Sequence, residues 1–209
     1  VTRQSTTAEA APSEQRKPTR REQILAAAAE LFAHRGFHGV GIDDIGSAVG
    51  ISGPGLYRHF RSKDAMLGEM LVAISEKLLA GGRRRVELAG GPEEALTELV
   101  RWHVDFALDN QALITVHERD LANLAEDDRR RVRALQRQYV EVWVDVIREV
   151  VPATDEPTAR AAAHAVFGLL NSTPHSKHLD RDAMAVLLHR MAMAALTGPG
   201  ALSGLTPTD

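Results

Sequence analysis

The segment from Gly50 to Phe60 reads GISGPGLYRHF. Glycine and proline crowd its front, and Tyr57, Arg58 and His59 follow one turn later. Phenol, guanidinium and imidazole groups can all bond phosphate oxygens or base edges. With Ser52 as N-cap, Gly53, Pro54 and Gly55 form a first helical turn, where proline is tolerated because the leading amides have no intrahelical acceptor. Small residues leave those amides open, and the positive helix end attracts phosphate. Leu56 and Phe60, four apart, can dock on Ile45, Val49 and Ile51, which leaves Tyr57 and His59 to face outward. Arg61 and Lys63 add charge at the start of the next helix. The chemistry expected is contact with a nucleic-acid backbone and base edges; a helical corner whose glycines only permit tight packing is the alternative.

A second set of reactive side chains is His117-Glu118-Arg119-Asp120, with His175 and His178 further on. Imidazole and carboxylate ligands suit zinc or acid–base catalysis. The four are consecutive, so on a helix they point in different directions, and no H-E-x-x-H spacing occurs. Neither a metal site nor a catalytic site is therefore expected, and no cofactor. A helical enzyme built on the His117/Glu118 region is the weaker rival.

These groups need helices to hold them. Thr19-Arg20-Arg21-Glu22 fits a capping box, and Ile24, Ala28, Leu31 and Phe32 fall on one face behind it, up to Gly36. Two short helices, 43–49 and 53–60, flank Gly50, where a tight turn favours glycine. They describe a helix-turn-helix. Ser62 caps a helix to about residue 79, with Gly81-Gly82 interrupting or fraying it and Gly90-Gly91-Pro92 ending it. Helical periodicity then recurs over 93–109, 112–125, 127–151, 156–173 and 181–197, and no segment alternates like a strand. The fold class expected is all-α: a polar arm (1–18), a three-helix head (19–64), a larger helical domain (65–198) and a loose tail (199–209).

Composition bounds the rest. The chain has 209 residues, is 44 % hydrophobic and contains no cysteine, which excludes disulfides and thiolate metal sites and suits the cytoplasm. The first eighteen residues lack the apolar core of a signal peptide. The longest apolar segment, ILAAAAELFA, is far short of the ~20 residues of a membrane span, so no membrane partner is expected. The net charge of −3 hides an asymmetry: residues 1–63 carry nine Lys/Arg against six Asp/Glu, and the remainder is acidic. A basic front and an acidic back suggest two jobs in one chain. The runs Arg83-Arg84-Arg85 and Arg129-Arg130-Arg131 read as solvated faces, with an anionic ligand such as a coenzyme A phosphate as the alternative use.

From Thr19 to Leu67 the order and spacing of F-x-x-x-G-F, D-D-I, G-I-S and L-Y-x-H-F-x-S-K resemble the DNA-binding region of TetR-family transcriptional regulators. The remaining two-thirds is similar to that family only in length and helical layout. The resemblance implies that Tyr57, His59 and Lys63 hold backbone phosphates. It implies that base or phosphate contacts begin at Ser52, Gly53 and Pro54, with Thr19 and Arg20 closing a basic arm that adds contacts. Two positions depart from the family pattern: Gly41 stands where Thr or Ser often caps the second helix, and Gly46 replaces a usual alanine. The resemblance further implies a homodimer through residues 156–197 on a palindromic double-stranded DNA operator, and repression relieved by a small molecule bound among the middle helices. Effector contacts expected there are Trp102, His103, Phe106, His117, Tyr139, Trp143, Phe167 and Asn171, the large or polar residues on otherwise apolar faces. SGPGLYRHF and HERDL are similar to actinobacterial members that control acyl-CoA or branched-chain acid catabolism, so the effector expected is apolar or acyl. A protein that binds DNA without sequence preference would share the basic head and is the other rival; its affinity would fall steeply with salt.

Overall fold

The computed structural model describes residues 17–176 and 178–202. The polar arm read over 1–18 lies outside them except for its last two residues, as does the tail beyond Leu202. Among the described residues all regular structure is helical. Helix α1 (Arg20–Arg35) starts on the capping box: Thr19 Oγ1 accepts from the Glu22 amide at 3.2 Å, and the Glu22 carboxylate accepts from the Thr19 amide at 2.6 Å. It ends at Gly36, whose φ of 79° lies in the left-handed region. Helices α2 (Ile42–Ala48) and α3 (Gly53–Leu56) follow, joined through Gly50 at φ 69°.

Helix α4 (Lys63–Leu88) runs unbroken through Gly81-Gly82, contrary to the interruption expected there. The pair has a packing cause instead. A Cβ on Gly81 would stand 2.2 Å from the Trp102 ring, and one on Gly82 2.7 Å from the Tyr139 ring. The glycines let two aromatic side chains lie directly on the α4 backbone.

Helix α5 (Pro92–Asp109) is followed by α6 (Gln111–Asp120), which gives way to a 3-10 turn at Leu121–Asn123 rather than continuing to 125. Helix α7 (Glu126–Val150) comes next, with Glu126, Asp127 and Asp128 in its first turn complementing the helix dipole. Helix α8 (Glu156–Leu170) is capped by Asp155 and stops short of the expected residue 173, because Thr173 opens a second 3-10 turn and donates its hydroxyl to the Ala107 carbonyl at 2.9 Å. Helix α9 (Arg181–Thr197) is capped by Asp180. The start of the tail is not loose, since Leu202 is buried against the core.

Among the described residues a small apolar cluster of Phe106, Ala107 and Ile114 accompanies two large cores. One gathers Ile24, Phe32, Ile45, Leu56 and Phe60 of the head with Met66, Leu67 and Leu71 of α4, and takes in Val116, Leu124 and Val132 from beyond. The other fills the bundle of α5, α7, α8 and α9 around Leu99, Trp143, Ile147 and Leu170. A division at 64/65 therefore cuts a helix whose first turns belong to the head. Among the described residues no helix is long and apolar enough to cross a membrane.

Candidate nucleic-acid interface and effector cavity

Helix α3 opens on Ser52, whose Oγ accepts from the Gly55 amide at 3.3 Å. Ser52, Pro54, Tyr57 and Arg58 are exposed at its surface, Tyr57 at 56 %. Leu56 and Phe60 are buried, and Ile45 beneath them is fully so. Gly53 is buried too: a Cβ there would stand 2.5 Å from Asp43 Oδ1. Its smallness seats α3 against α2 rather than clearing space for an outside partner. Gly46 has a similar cause, since a Cβ would meet the Ile51 carbonyl oxygen at 2.6 Å. Gly41 brings no capping oxygen to α2, and the bond at that end runs from the Gly41 amide to Asp44 Oδ2 at 2.8 Å.

Four of the expected contacts are engaged inside the head. Lys63 Nζ donates to the Phe37 and Val40 carbonyls at 2.7 and 2.8 Å and lies over the Phe37 ring, so the ammonium fastens the turn after α1 instead of standing clear for a phosphate. Arg20 donates to the Val49 carbonyl and to Gln23 Oε1, strapping the start of α1 to the end of α2, while Thr19 is the α1 cap. His59 is half-buried and its carbonyl accepts from Arg21, which also pairs with Glu69 and covers the Phe60 ring. Arg58, one of the three DNA-competent groups but not among the named contacts, is exposed, and its guanidinium makes no hydrogen bond or ion pair among the described residues. Its place between Tyr57 and His59 was the available clue.

A cavity of about 250 Å³ lies between α4, α5, α6, α7 and α8. Ile74, Leu78, Phe106, Ile114, Leu135 and Val140 give it apolar walls. Of the expected effector contacts, His103, Phe106, His117, Tyr139, Phe167 and Asn171 line it. Trp102 does not: its indole N–H donates to the Leu78 carbonyl at 3.0 Å, and its ring lies against Gly81 and under the Arg85 guanidinium. Trp143 does not either; it is fully buried behind the wall, edge-on to Phe167 at 5.1 Å and to His103 at 5.9 Å. Ser75, Gln136, Glu118 and His164 line the cavity without having been expected there as effector contacts. Gln136 was legible, because it precedes Tyr139 by three on α7 and so shares its face.

The cavity's polar groups are linked. His103 Nε2 meets Asn171 Oδ1 at 3.1 Å and His103 Nδ1 meets the Tyr139 hydroxyl at 3.3 Å. The His103 ring stacks on Phe167 at 4.9 Å. Burial lowers the His103 pKa from 6.5 to about 4, against an opposing effect of the Asn171 bond, and burial also raises that of Tyr139. His117 is lowered by burial as well and accepts from the Gln136 amide. At neutral pH both imidazoles are uncharged. Arg119, one residue past Glu118, donates to the Phe32 and Ala33 carbonyls at the end of α1, with buried Asp120 paired to it at 3.0 Å. Among the described residues no three His, Asp or Glu side chains converge as metal ligands. Arg129, Arg130 and Arg131 pair with Glu126, Asp127 and Glu76, as solvated faces do.

Comparison with known sequences matches residues 24–70 to the bacterial regulatory proteins of the tetR family. Residues 89–175 match the tetracyclin repressor-like C-terminal domain. The HTH-type transcriptional repressor KstR2 of Mycobacterium tuberculosis is 30 % identical over 132 residues, which cover 63 % of this chain and 66 % of the repressor, just under two thirds of its length. The solved TetR-family transcriptional regulator PfmR from Thermus thermophilus superposes with a TM-score of 0.75 at 26 % identity, over 87 % of this chain and 98 % of that one. AibR, solved in complex with isovaleryl coenzyme A and operator DNA, shares the fold with a TM-score of 0.69 at 19 % identity, over 87 % of this chain and all of that one.

Proposed function

The chain belongs to the TetR family of bacterial regulatory proteins, a family of transcriptional regulators rather than enzymes, and from that premise we propose that it is a repressor that binds a palindromic operator as a homodimer and lets go when a compact acyl ligand fills the central cavity. Residues 19–64 read the DNA and 65–198 bind effector and partner. Ser52, Pro54 and Tyr57 make the outward contacts, joined by Arg58. The observation that carries the proposal is that two helices touch both places. Helix α4 begins at Lys63 in the head and supplies Ile74, Ser75 and Leu78 to the cavity wall, roughly 16–22 Å further along its axis. Helix α6 supplies His117 and Glu118 to the wall and, through Arg119, holds the end of α1. A ligand that favours one arrangement of these helices shifts the heads, and releases DNA only as far as its affinities for the two arrangements differ.

Dimerisation finds support on α8 and α9. On α9 Met184 and Leu188 face the core, while Val186, Leu187 and Met191 stay exposed. On α8 Ala161, Ala165 and Gly168 are exposed, small enough for another helix to approach closely. Paired heads suit half-sites one or more helical turns apart, about 34 Å for one turn. The acyl ligand is supported by the apolar cavity and by the acyl coenzyme A carried by AibR. Footprinting on the DNA flanking the gene, with and without short acyl-coenzyme A thioesters, tests the proposal. Protection of one palindrome that fades with ligand is expected; equal affinity for unrelated duplexes of the same length overturns it.

A further inference from the structure

Three polar side chains meet where α5, α7 and the end of α8 converge on the cavity: His103, Tyr139 and Asn171. Burial keeps His103 uncharged, so its ring has one N–H and one lone pair. With Asn171 Oδ1 accepting from Nε2–H, Nδ1 accepts from the Tyr139 hydroxyl. Both ring nitrogens are then used. The Asn171 Nδ2 group, with no partner among the described residues, is left as a donor, and the Tyr139 oxygen is left with its lone pairs. Turning the amide over exchanges these roles and still leaves one donor and one acceptor on the cavity wall.

The charge of the remaining lining limits what can enter. Among the described lining residues there is no Lys or Arg, and the one carboxylate is Glu118. A carboxylate brought here would lose its hydration with no counter-charge to replace it. An ammonium finds only Glu118, itself exposed to solvent, and little open ring face. His103, Phe167 and Tyr139 stack nearly parallel, 4.9 to 5.7 Å apart, so much of their faces is covered by one another rather than open to a cation. Size is limited as well. Its volume of about 250 Å³ lies just below the usual range for ligand pockets.

We propose that the cavity selects a compact neutral ligand with a carbonyl whose oxygen accepts from the Asn171 amide, and that it discriminates against the corresponding free acid and amine; this rests on the effector role given to the cavity above. An ester, thioester or ketone of about six carbons meets the requirement. Asn171 sets the specificity and His103 holds it in place, with Tyr139 fixing the other side of the imidazole.

Calorimetric titration of the full chain without DNA, at pH 7.5, with methyl hexanoate, hexanoate and hexylammonium tests the selection. The ester binds roughly tenfold or more tighter than either ion, the worth of one well-placed hydrogen bond or one unpaired charge. In Asn171→Leu the ester weakens about tenfold and the gap to the acid narrows, with a thermal melt of the free variant verifying its fold. Equal or tighter binding of either ion, no binding of any probe, or an unchanged ester affinity in a folded Asn171→Leu variant overturns the proposal. Where that variant does not fold, the ranking of the three probes on the unmodified chain decides alone. Because no DNA is present, failure here leaves the operator proposal standing, and an absent operator leaves the ligand ranking standing.

Discussion

Lys63 and Arg58 divide, at the scale of single residues, what a sequence would assign to one. Both are cations beside a helix that faces outward, but Lys63 is held by two carbonyls and a ring while the Arg58 guanidinium is exposed without a partner among the described residues. Lys63→Ala should therefore lower stability by about 1–3 kcal/mol, because two carbonyls lose a charged donor. Thermal or urea unfolding measures this. Arg58→Ala should leave stability within about 0.5 kcal/mol and make the dependence of log affinity on log salt shallower by about one per head. A Lys63 variant that melts normally but binds operator poorly would return the lysine to the DNA. His103 carries a second prediction. In the unfolded chain its imidazole takes a proton near pH 6.5, whereas the folded chain resists until about pH 4. Its contribution to stability is therefore complete above pH 6.5 and is lost as the pH falls towards 4; His117, lowered for the same reason, acts in the same direction. At about 1.4 kcal/mol per pH unit the scale for His103 is on the order of 3 kcal/mol. Melting temperatures between pH 7 and pH 4 should fall, and His103→Gln should flatten the slope. Position on a helix face made His103, Tyr139 and Phe167 legible from the sequence as cavity residues. It could not place Trp102 and Trp143, because a large aromatic beside a cavity and one lining it carry the same pattern, and only the partner across the gap separates them.

Glycine tells the same lesson for elements. Helix existence and order followed from apolar spacing and caps, which are local properties: Thr19 and Ser62 cap as their sequence contexts require. A glycine pair is ambiguous at that level, since fraying and close approach call for the same residue. At Gly81-Gly82 close approach wins, as the Trp102 and Tyr139 rings lie within 3 Å of where a Cβ would be. The end of α8 at Leu170, short of the expected residue 173, is likewise decided from outside: Thr173 turns away to bond the Ala107 carbonyl, 66 residues earlier. The prediction for this scale opposes intrinsic propensity. Alanine in a helix interior is worth about 1 kcal/mol over glycine, yet Gly81→Ala and Gly82→Ala should each destabilise by about 1–3 kcal/mol, because the rings must shift. Denaturant midpoints at constant m-value measure it. An increase in stability for either would mean that the rings yield freely and that the glycines serve flexibility instead.

The proposed regulation belongs to the whole molecule and not to either core. Residues 1–63 are net basic and the remainder is acidic, and α9 carries an apolar face that nothing among the described residues covers. Val186, Leu187 and Met191 lie close together on α9, Leu187 and Met191 four apart, and are 41–49 % exposed. Large apolar side chains grouped on one helix face are what an interface presents before its partner arrives. In the proposed dimer, pairing through α8 and α9 joins two heads on one frame, so the second half-site is bound at the effective concentration set by that frame instead of the bulk concentration. One substitution should then change two measurements together. Leu187→Glu or Met191→Glu puts a charge into the seam, and each should convert a dimer to a monomer by light scattering at micromolar concentration. The exposed position in the monomer predicts little loss of its own fold, so circular dichroism should be unchanged. Operator affinity should fall at least 100-fold, while affinity for a duplex carrying one half-site should change less than threefold. A variant that stays dimeric places the interface elsewhere. One that becomes monomeric yet keeps full operator affinity separates the frame from the reading of DNA, and with it removes any route by which a ligand between α4 and α8 could set the spacing of two heads.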